Sequence, residues 1–245
     1  MFFWGVLFCL AEKCFLKQGS CIILSSERAL FTIKKGLNDT PYLLNWRALK
    51  MATKKADLKN TKNIKKLCIY CGASLGTNVD YANAAKELGT LLAQNNIQVI
   101  YGGGKGGIMG VVANSVLQGG GEVLGVIPKF LLERELAHEG LTKLHIVPTM
   151  HARKHKMSEL SDAFVILPGG LGTLEEVSEM ITWRQLERHN KPIVFLNTNG
   201  YWKPFQQLIA NIIDEGFGHG NAFNLYEMRN TPTDVLHFLL NHPNS

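Results

Sequence analysis

Pro168-Gly169-Gly170-Leu171-Gly172-Thr173-Leu174-Glu175-Glu176 follows directly on the apolar run Ala163-Phe164-Val165-Ile166-Leu167. That run is short and rich in β-branched and aromatic residues, so it reads as a strand buried on both faces of a parallel sheet. Beyond the glycines, Leu174, Val177, Met180, Ile181 and Trp183 recur at near-helical spacing. The glycines therefore join a strand to a helix. Glycine there permits positive φ and lets a ligand approach bare main chain. The N-terminus of the helix offers unpaired N–H groups and a partial positive charge, which suits a phosphate. Thr173 adds a hydroxyl donor, and Glu175 and Glu176 are expected in the first helical turn. Taken alone, the stretch reads equally as a glycine turn whose two acids favour the helix dipole.

The surrounding chain repeats the same alternation. Strands are predicted at 67–71, 97–101, 123–127, 144–147, 163–167, 192–196 and 225–228. Between them, Tyr81, Ala84, Ala85, Leu88, Leu91 and Leu92 mark one face of a helix. Further helices are expected at 108–117, 150–160, from the glycine turn to about Leu186, at 202–213, and from Thr231-Pro232 onward. Residues 130–141 show no clear period, with Arg134 to Glu139 read as a short helix or an ordered loop. Strands alternating with helices give an α/β fold, a doubly wound, mainly parallel sheet flanked by helices. Ligands in such sheets bind beyond the carboxyl ends of the strands. Those ends carry Gly72–Ser74, Gly102–Gly110, Pro128, Pro148 and Gly169–Thr173.

Composition narrows the function. With 46% hydrophobic and 19% charged residues, the 245-residue chain has ample material for a core. The net charge of +6 is unevenly placed. Residues 1–50 hold seven Lys/Arg against three Asp/Glu, and a lysine-rich leader runs from Lys54 to Lys66. The body after it has a slight acidic excess, so no nucleic-acid platform is predicted. Cys68 and Cys71 form a C-x-x-C inside an apolar run with no second pair to complete a zinc site. They read as structural thiols of a reduced, cytoplasmic protein. Residues 1–50 lack sustained periodicity. Their apolar start, Met1 to Ala11, is too short to span a membrane and lacks the features of a secretory signal. They read as a poorly ordered extension upstream of a natural start at Met51, the alternative being an anchor or targeting piece. Residues 51–65 follow as a basic leader, and 66–245 as one domain.

The motifs exclude several chemistries. Gly102–Gly110 contains Lys105 but lacks the Gly-Lys-Ser/Thr ending of a P-loop. It is also no clean dinucleotide fingerprint, because no acid stands at the end of the next strand and Glu122 precedes it. A pyridoxal phosphate decarboxylase needs a Schiff-base lysine and a partner for the pyridine nitrogen. Lys105 and Lys154 sit in phosphate-like contexts instead. His138, His151 and His155 do not show tight metal-ligand spacing, so no metal and no cofactor are predicted.

Three spaced motifs are more specific together than any one of them. They are Tyr101-Gly102-Gly103-Gly104 through Gly110, Met150-His151-x-Arg153-Lys154, and Pro168-Gly169-Gly170-x-Gly172-Thr173-x-x-Glu176. In this order they resemble the "lonely guy" family, the cytokinin-activating nucleoside 5′-monophosphate phosphoribohydrolases, long mislabelled as possible lysine decarboxylases. The resemblance covers about residues 65–230, including Ser161-Asp162-Ala163-Phe164 and Ile181-Thr182-Trp183, and excludes residues 1–50. It implies a Rossmann-like fold, a homodimer, and hydrolysis of N6-modified AMP to free base and ribose 5-phosphate. It further implies a phosphate turn of Gly169, Gly170, Gly172 and Thr173 and a catalytic pair of Arg153 and Glu176. Glu135, Lys154, Glu175 and Thr182 match positions that line the substrate site, and Gly103 and Gly104 join them as binding residues.

The residues themselves are compatible with that chemistry. Breaking a ribosyl C–N bond builds positive charge on the sugar, as in glycoside hydrolysis. Glu176 is the carboxylate that can stabilise that charge or activate water. Arg153 is permanently charged, so it can hold phosphate or orient substrate but cannot act as an ordinary general acid. The other reading is a non-catalytic nucleotide or cofactor carrier on the same fold, which would keep the glycine turns without needing both Arg153 and Glu176.

Overall fold

The computed structural model describes residues 14–17, 20–23, 64–132, 137–218 and 220–241. The chain divides into two compact units, 1–60 and 61–245. In the first, β1 (Cys14–Lys17) pairs antiparallel with β2 (Ser20–Ile23), a local pairing the sequence reading did not anticipate. The rest of that reading of residues 1–50, and the basic leader up to Asn63, lie outside the described residues.

The second unit is built on seven parallel strands: β3 (Lys66–Tyr70), β4 (Gln98–Tyr101), β5 (Val123–Pro128), β6 (Lys143–Val147), β7 (Ala163–Ile166), β8 (Ile193–Leu196) and β9 (Glu227–Arg229). Their order across the sheet is β6-β5-β4-β3-β7-β8-β9. Among the described residues six helices cover it: α1 (Val79–Gln94), α2 (Gly107–Gln118), α3 (Met150–Leu160), α4 (Leu171–Gln185), α5 (Lys203–Asp214) and α6 (Pro232–Asn241). The doubly wound α/β architecture expected from the alternating pattern is the one observed.

The inner strands read as largely apolar runs because both of their faces are covered, unlike the edge strands β6 and β9. Along β3, Leu67 and Ile69 join a core with Leu88 of α1, Val112 of α2 and Val235 of α6. Cys68 and Tyr70, pointing the other way, join Met157 of α3, Met180 of α4 and Phe205 of α5. From β3 the chain steps outward through β4, β5 and β6, then returns to place β7 on the opposite flank of β3. The strand order thus reverses between β3 and β7, and a crevice opens beyond their carboxyl ends.

One local expectation changes. Gly170 is the N-cap of α4, so Gly172 and Thr173 lie within its first turn and Glu175 and Glu176 fall in the second, not the first. Arg134 and Glu135 lie outside the described residues. Their flanks are a single 3₁₀ turn at Lys129–Leu131 and an isolated bridge from Ala137 to Gly104. The C-x-x-C behaves as read. Cys68 and Cys71 are free and buried, and burial pushes both thiols far up, which leaves them protonated and unsuited to redox exchange.

One half-buried histidine makes stability pH-dependent. The His189 ring stands against Phe164 and donates from Nε2 to the Met180 carbonyl at 3.0 Å, while Nδ1 accepts from the Lys191 N–H at 3.2 Å. Burial is the main cause that lowers its pKa below 6.5, with the charges of Lys191 and Arg184 adding to it. The unfolded chain therefore binds the proton more readily, and the neutral ring's stabilisation is lost as pH falls below about 6.5. The thermal midpoint should drop more steeply between pH 7.5 and 5.5 in the wild type than in His189→Gln. Parallel curves for the two proteins would refute this role.

Candidate active site

The crevice at the strand reversal is a cavity of about 500 Å³, a size that accommodates a nucleotide. Its wall on the β7 side is Pro168, Gly169, Gly170, Gly172 and Thr173. The Gly72–Gly76 loop beyond β3 lines the cavity too, as do Gly102 from the end of β4 and Tyr201 beyond β8. Four loops at the carboxyl ends of neighbouring strands therefore share one site.

Of the two reasons read in sequence for these glycines, positive φ does not apply, while bare main chain facing the cavity does. None of Gly169, Gly170 and Gly172 has a positive φ. Gly169 is required by crowding: a Cβ there would meet the Thr173 side chain and come within 2.8 Å of the Gly72 nitrogen. Gly170 and Gly172 face open space, where a side chain would occupy the cavity instead of a ligand. No side chain caps the start of α4, so its first N–H groups keep their anion-binding character. Thr173, only 4% exposed, lines the same wall.

Arg153 and Glu176 meet in this cavity although they stand on different helices. α3 is capped by Thr149, whose Oγ1 accepts from the Ala152 N–H at 3.1 Å, and its inward face is Arg153, Lys154, Met157 and Ser158. Arg153 is 5% exposed, so it is no surface residue of a basic helix. Its Nη2 donates to the Gly102 carbonyl at 3.2 Å, and a Cβ on Gly102 would fall on the guanidinium. Along α4, Thr173, Glu176, Val177 and Met180 share the inward face at helical spacing, placing Glu176 at 8% exposure on the cavity. Both charges act on the same two thiols: beyond the effect of burial, Glu176 raises the Cys68 and Cys71 pKa values and Arg153 lowers them. A carboxylate and a guanidinium, both largely withdrawn from water, thus share one small volume, where their fields are weakly screened.

The remaining predicted residues divide. Glu175 lines the cavity and is ion-paired with Lys154, which also pairs with Glu179 at 3.1 Å. Lys154 is 5% exposed and does not itself line the cavity; it reaches the site through Glu175. Burial lowers its pKa, but the two carboxylates outweigh burial and the net direction is up. A lysine held protonated in this way is the opposite of one prepared to form a Schiff base. Thr182 lies two turns beyond Glu175, off the cavity, its hydroxyl donating to the Ser178 carbonyl at 2.8 Å. Gly103 and Gly104 are also off the cavity. Gly103 has φ +84° and packs on Ile127 and Leu144, while the Gly104 carbonyl accepts from the Tyr101 hydroxyl at 3.1 Å. They shape the turn that presents Gly102. Glu135 lies outside the described residues. Sequence reasoning missed Gly102 as a lining residue and Tyr201 altogether. The Gly72–Ser74 turn was visible as a strand-end glycine, but nothing marked Tyr201.

Among the described residues there is no group of three His, Cys, Asp or Glu side chains able to hold a metal ion, and no helix long and apolar enough to cross a membrane. His138 bridges the Asn114 side chain, at 2.9 Å, and the Gly140 N–H.

Comparison with known proteins bears on this site. Residues 109–239 match the family model described as "Possible lysine decarboxylase". A cytokinin riboside 5′-monophosphate phosphoribohydrolase of Arabidopsis thaliana is 48% identical over 153 residues, 62% of this chain and 72% of that protein. The protein of the same name from Rhodococcoides fascians is 43% identical over 175 residues, covering 71% and 87%. Among solved structures, a molybdenum cofactor binding protein from Rippkaea orientalis aligns with a TM-score of 0.56 at 18% identity, over 73% of this chain and 97% of that one. At that identity the likeness speaks for the fold alone.

Proposed function

The chain belongs to the family of cytokinin riboside 5′-monophosphate phosphoribohydrolases, and from that membership we propose how its cavity carries out the reaction. The substrate is adenosine 5′-monophosphate or an N6-modified form of it, and the products are free base and ribose 5-phosphate. The observation that carries the reading is the placement of buried Glu176 and Arg153 in the cavity walled by the bare glycine turn. Phosphate docks on Gly169, Gly170, Gly172 and Thr173 at the open start of α4. The ribose then lies along the first turns of that helix, toward Glu176. The C1′–N9 bond breaks with its electron pair leaving on the base, which takes up a proton, while water adds to C1′. Glu176 stabilises the cationic sugar or accepts the proton of the attacking water. Arg153 holds and orients the nucleotide. Lys154 fixes Glu175 at the rim, and Gly103 and Gly104 support Gly102.

We further place the active form as a homodimer in the cytoplasm, a location that fits the two free buried thiols, with residues 1–50 dispensable. The test is incubation of the full chain and of residues 51–245 with AMP, an isopentenyl-type N6-substituted AMP, other nucleoside 5′-monophosphates and adenosine, reading free base. Base should be released from the adenylates by both proteins, with adenosine a poor substrate, and the mass in solution should be twice that of the chain. A carrier would return every nucleotide intact. Loss of activity in the shorter protein would move the domain boundary.

A further inference from the structure

We propose that Tyr201 is a positioning residue for phosphate recognition, acting through the backbone of the glycine turn; this rests on the function proposed above. Tyr201 lines the cavity, and its hydroxyl donates to the Gly169 carbonyl at 2.6 Å. A trans peptide is planar, with its carbonyl and N–H pointing in opposite directions. Holding the Gly169 carbonyl therefore sets the direction of the Gly170 N–H, and with it the angle at which α4 enters the cavity wall. The same turn is held at a second point, where the Gly72 N–H donates to the Pro168 carbonyl at 3.1 Å.

Tyr201 is itself held firmly. It follows a 3₁₀ turn, Thr198–Gly200, in which Asn199 and Gly200 both have positive φ. The Asn199 side chain donates to Asp80 Oδ2 at 2.7 Å, and Asn197 Oδ1 accepts from the Trp202 N–H at 2.8 Å. The Tyr201 ring meets Tyr81 and Trp202 edge-on, with centroids 5.3 and 5.0 Å away. A side chain anchored this way delivers its hydroxyl to one place, which is what a positioned binding site requires.

Tyr201→Phe keeps the ring contacts and removes only the hydroxyl. The Michaelis constant for AMP should rise about tenfold while kcat changes less than about threefold, the scale of one lost hydrogen bond. Inhibition by inorganic phosphate and by ribose 5-phosphate should weaken by the same factor, and inhibition by adenine should stay unchanged. An unchanged phosphate inhibition constant would overturn the proposal, as would equal weakening of adenine and phosphate. If the wild type releases no base from any nucleotide, the proposed function fails. Calorimetric binding of phosphate to wild type and Tyr201→Phe still tests Tyr201, and equal affinities would then reject it.

Discussion

Glu176→Gln should lower kcat for AMP by about three orders of magnitude while nucleotide affinity changes by less than about fivefold. The substitution keeps size and hydrogen-bonding capacity and removes only the negative charge. At 8% exposure on the cavity wall, that charge acts where little water screens it. Positive charge exists on the sugar only as the C1′–N9 bond breaks, so the carboxylate's contribution is concentrated in the transition state. An effect confined to kcat is the signature of such a group. Steady-state rates and calorimetric affinity on the same preparation decide the matter. A fully active Glu176→Gln enzyme, or one that loses binding as much as turnover, would remove Glu176 from the chemistry.

The parts of this protein that bury apolar surface were legible in the sequence. β7 and β8 are buried at every position and read as unbroken hydrophobic runs, and α1 shows its inward face as Ala85, Leu88 and Leu92. The glycine turn was legible as a turn and as bare main chain open to a ligand, but the need for glycine at 169 was not. Gly169 is crowded by Thr173 only once the turn has its folded geometry, and by Gly72 from a loop about a hundred residues earlier in the chain. α3 hid its role for a different reason. Its buried positions are Arg153, Lys154, Met157 and Ser158, so no apolar stripe distinguishes the inward face from the solvated one. Periodicity reports burial only where burial is apolar, and a helix that buries charge at a site escapes it. Tyr201 escaped for a third reason. An aromatic residue beside Trp202 and Pro204 looks like ordinary core, and only the placement of β8 beside β7 brings its hydroxyl to the Gly169 carbonyl.

Arg153→Ala should reduce kcat/KM for AMP by about three orders of magnitude, with the loss divided between binding and turnover, because a cation that holds the nucleotide throughout contributes to both. The side chain is built into the cavity. Its guanidinium lies against Gly102, where even a methyl group would displace it, and donates to the Gly102 carbonyl at 3.2 Å. Truncation removes the charge and leaves that carbonyl without this donor in a buried position, so some loss of stability should accompany the loss of activity. Arg153→Lys separates the two contributions. It restores a positive charge but not the planar fork of donors, so it should recover nucleotide affinity in part and leave turnover low. Steady-state constants for the three proteins, set beside their thermal midpoints, distinguish these effects. Normal kcat/KM in Arg153→Ala would show that the guanidinium serves only to support the Gly102 turn, and the cavity would need another group to hold its substrate.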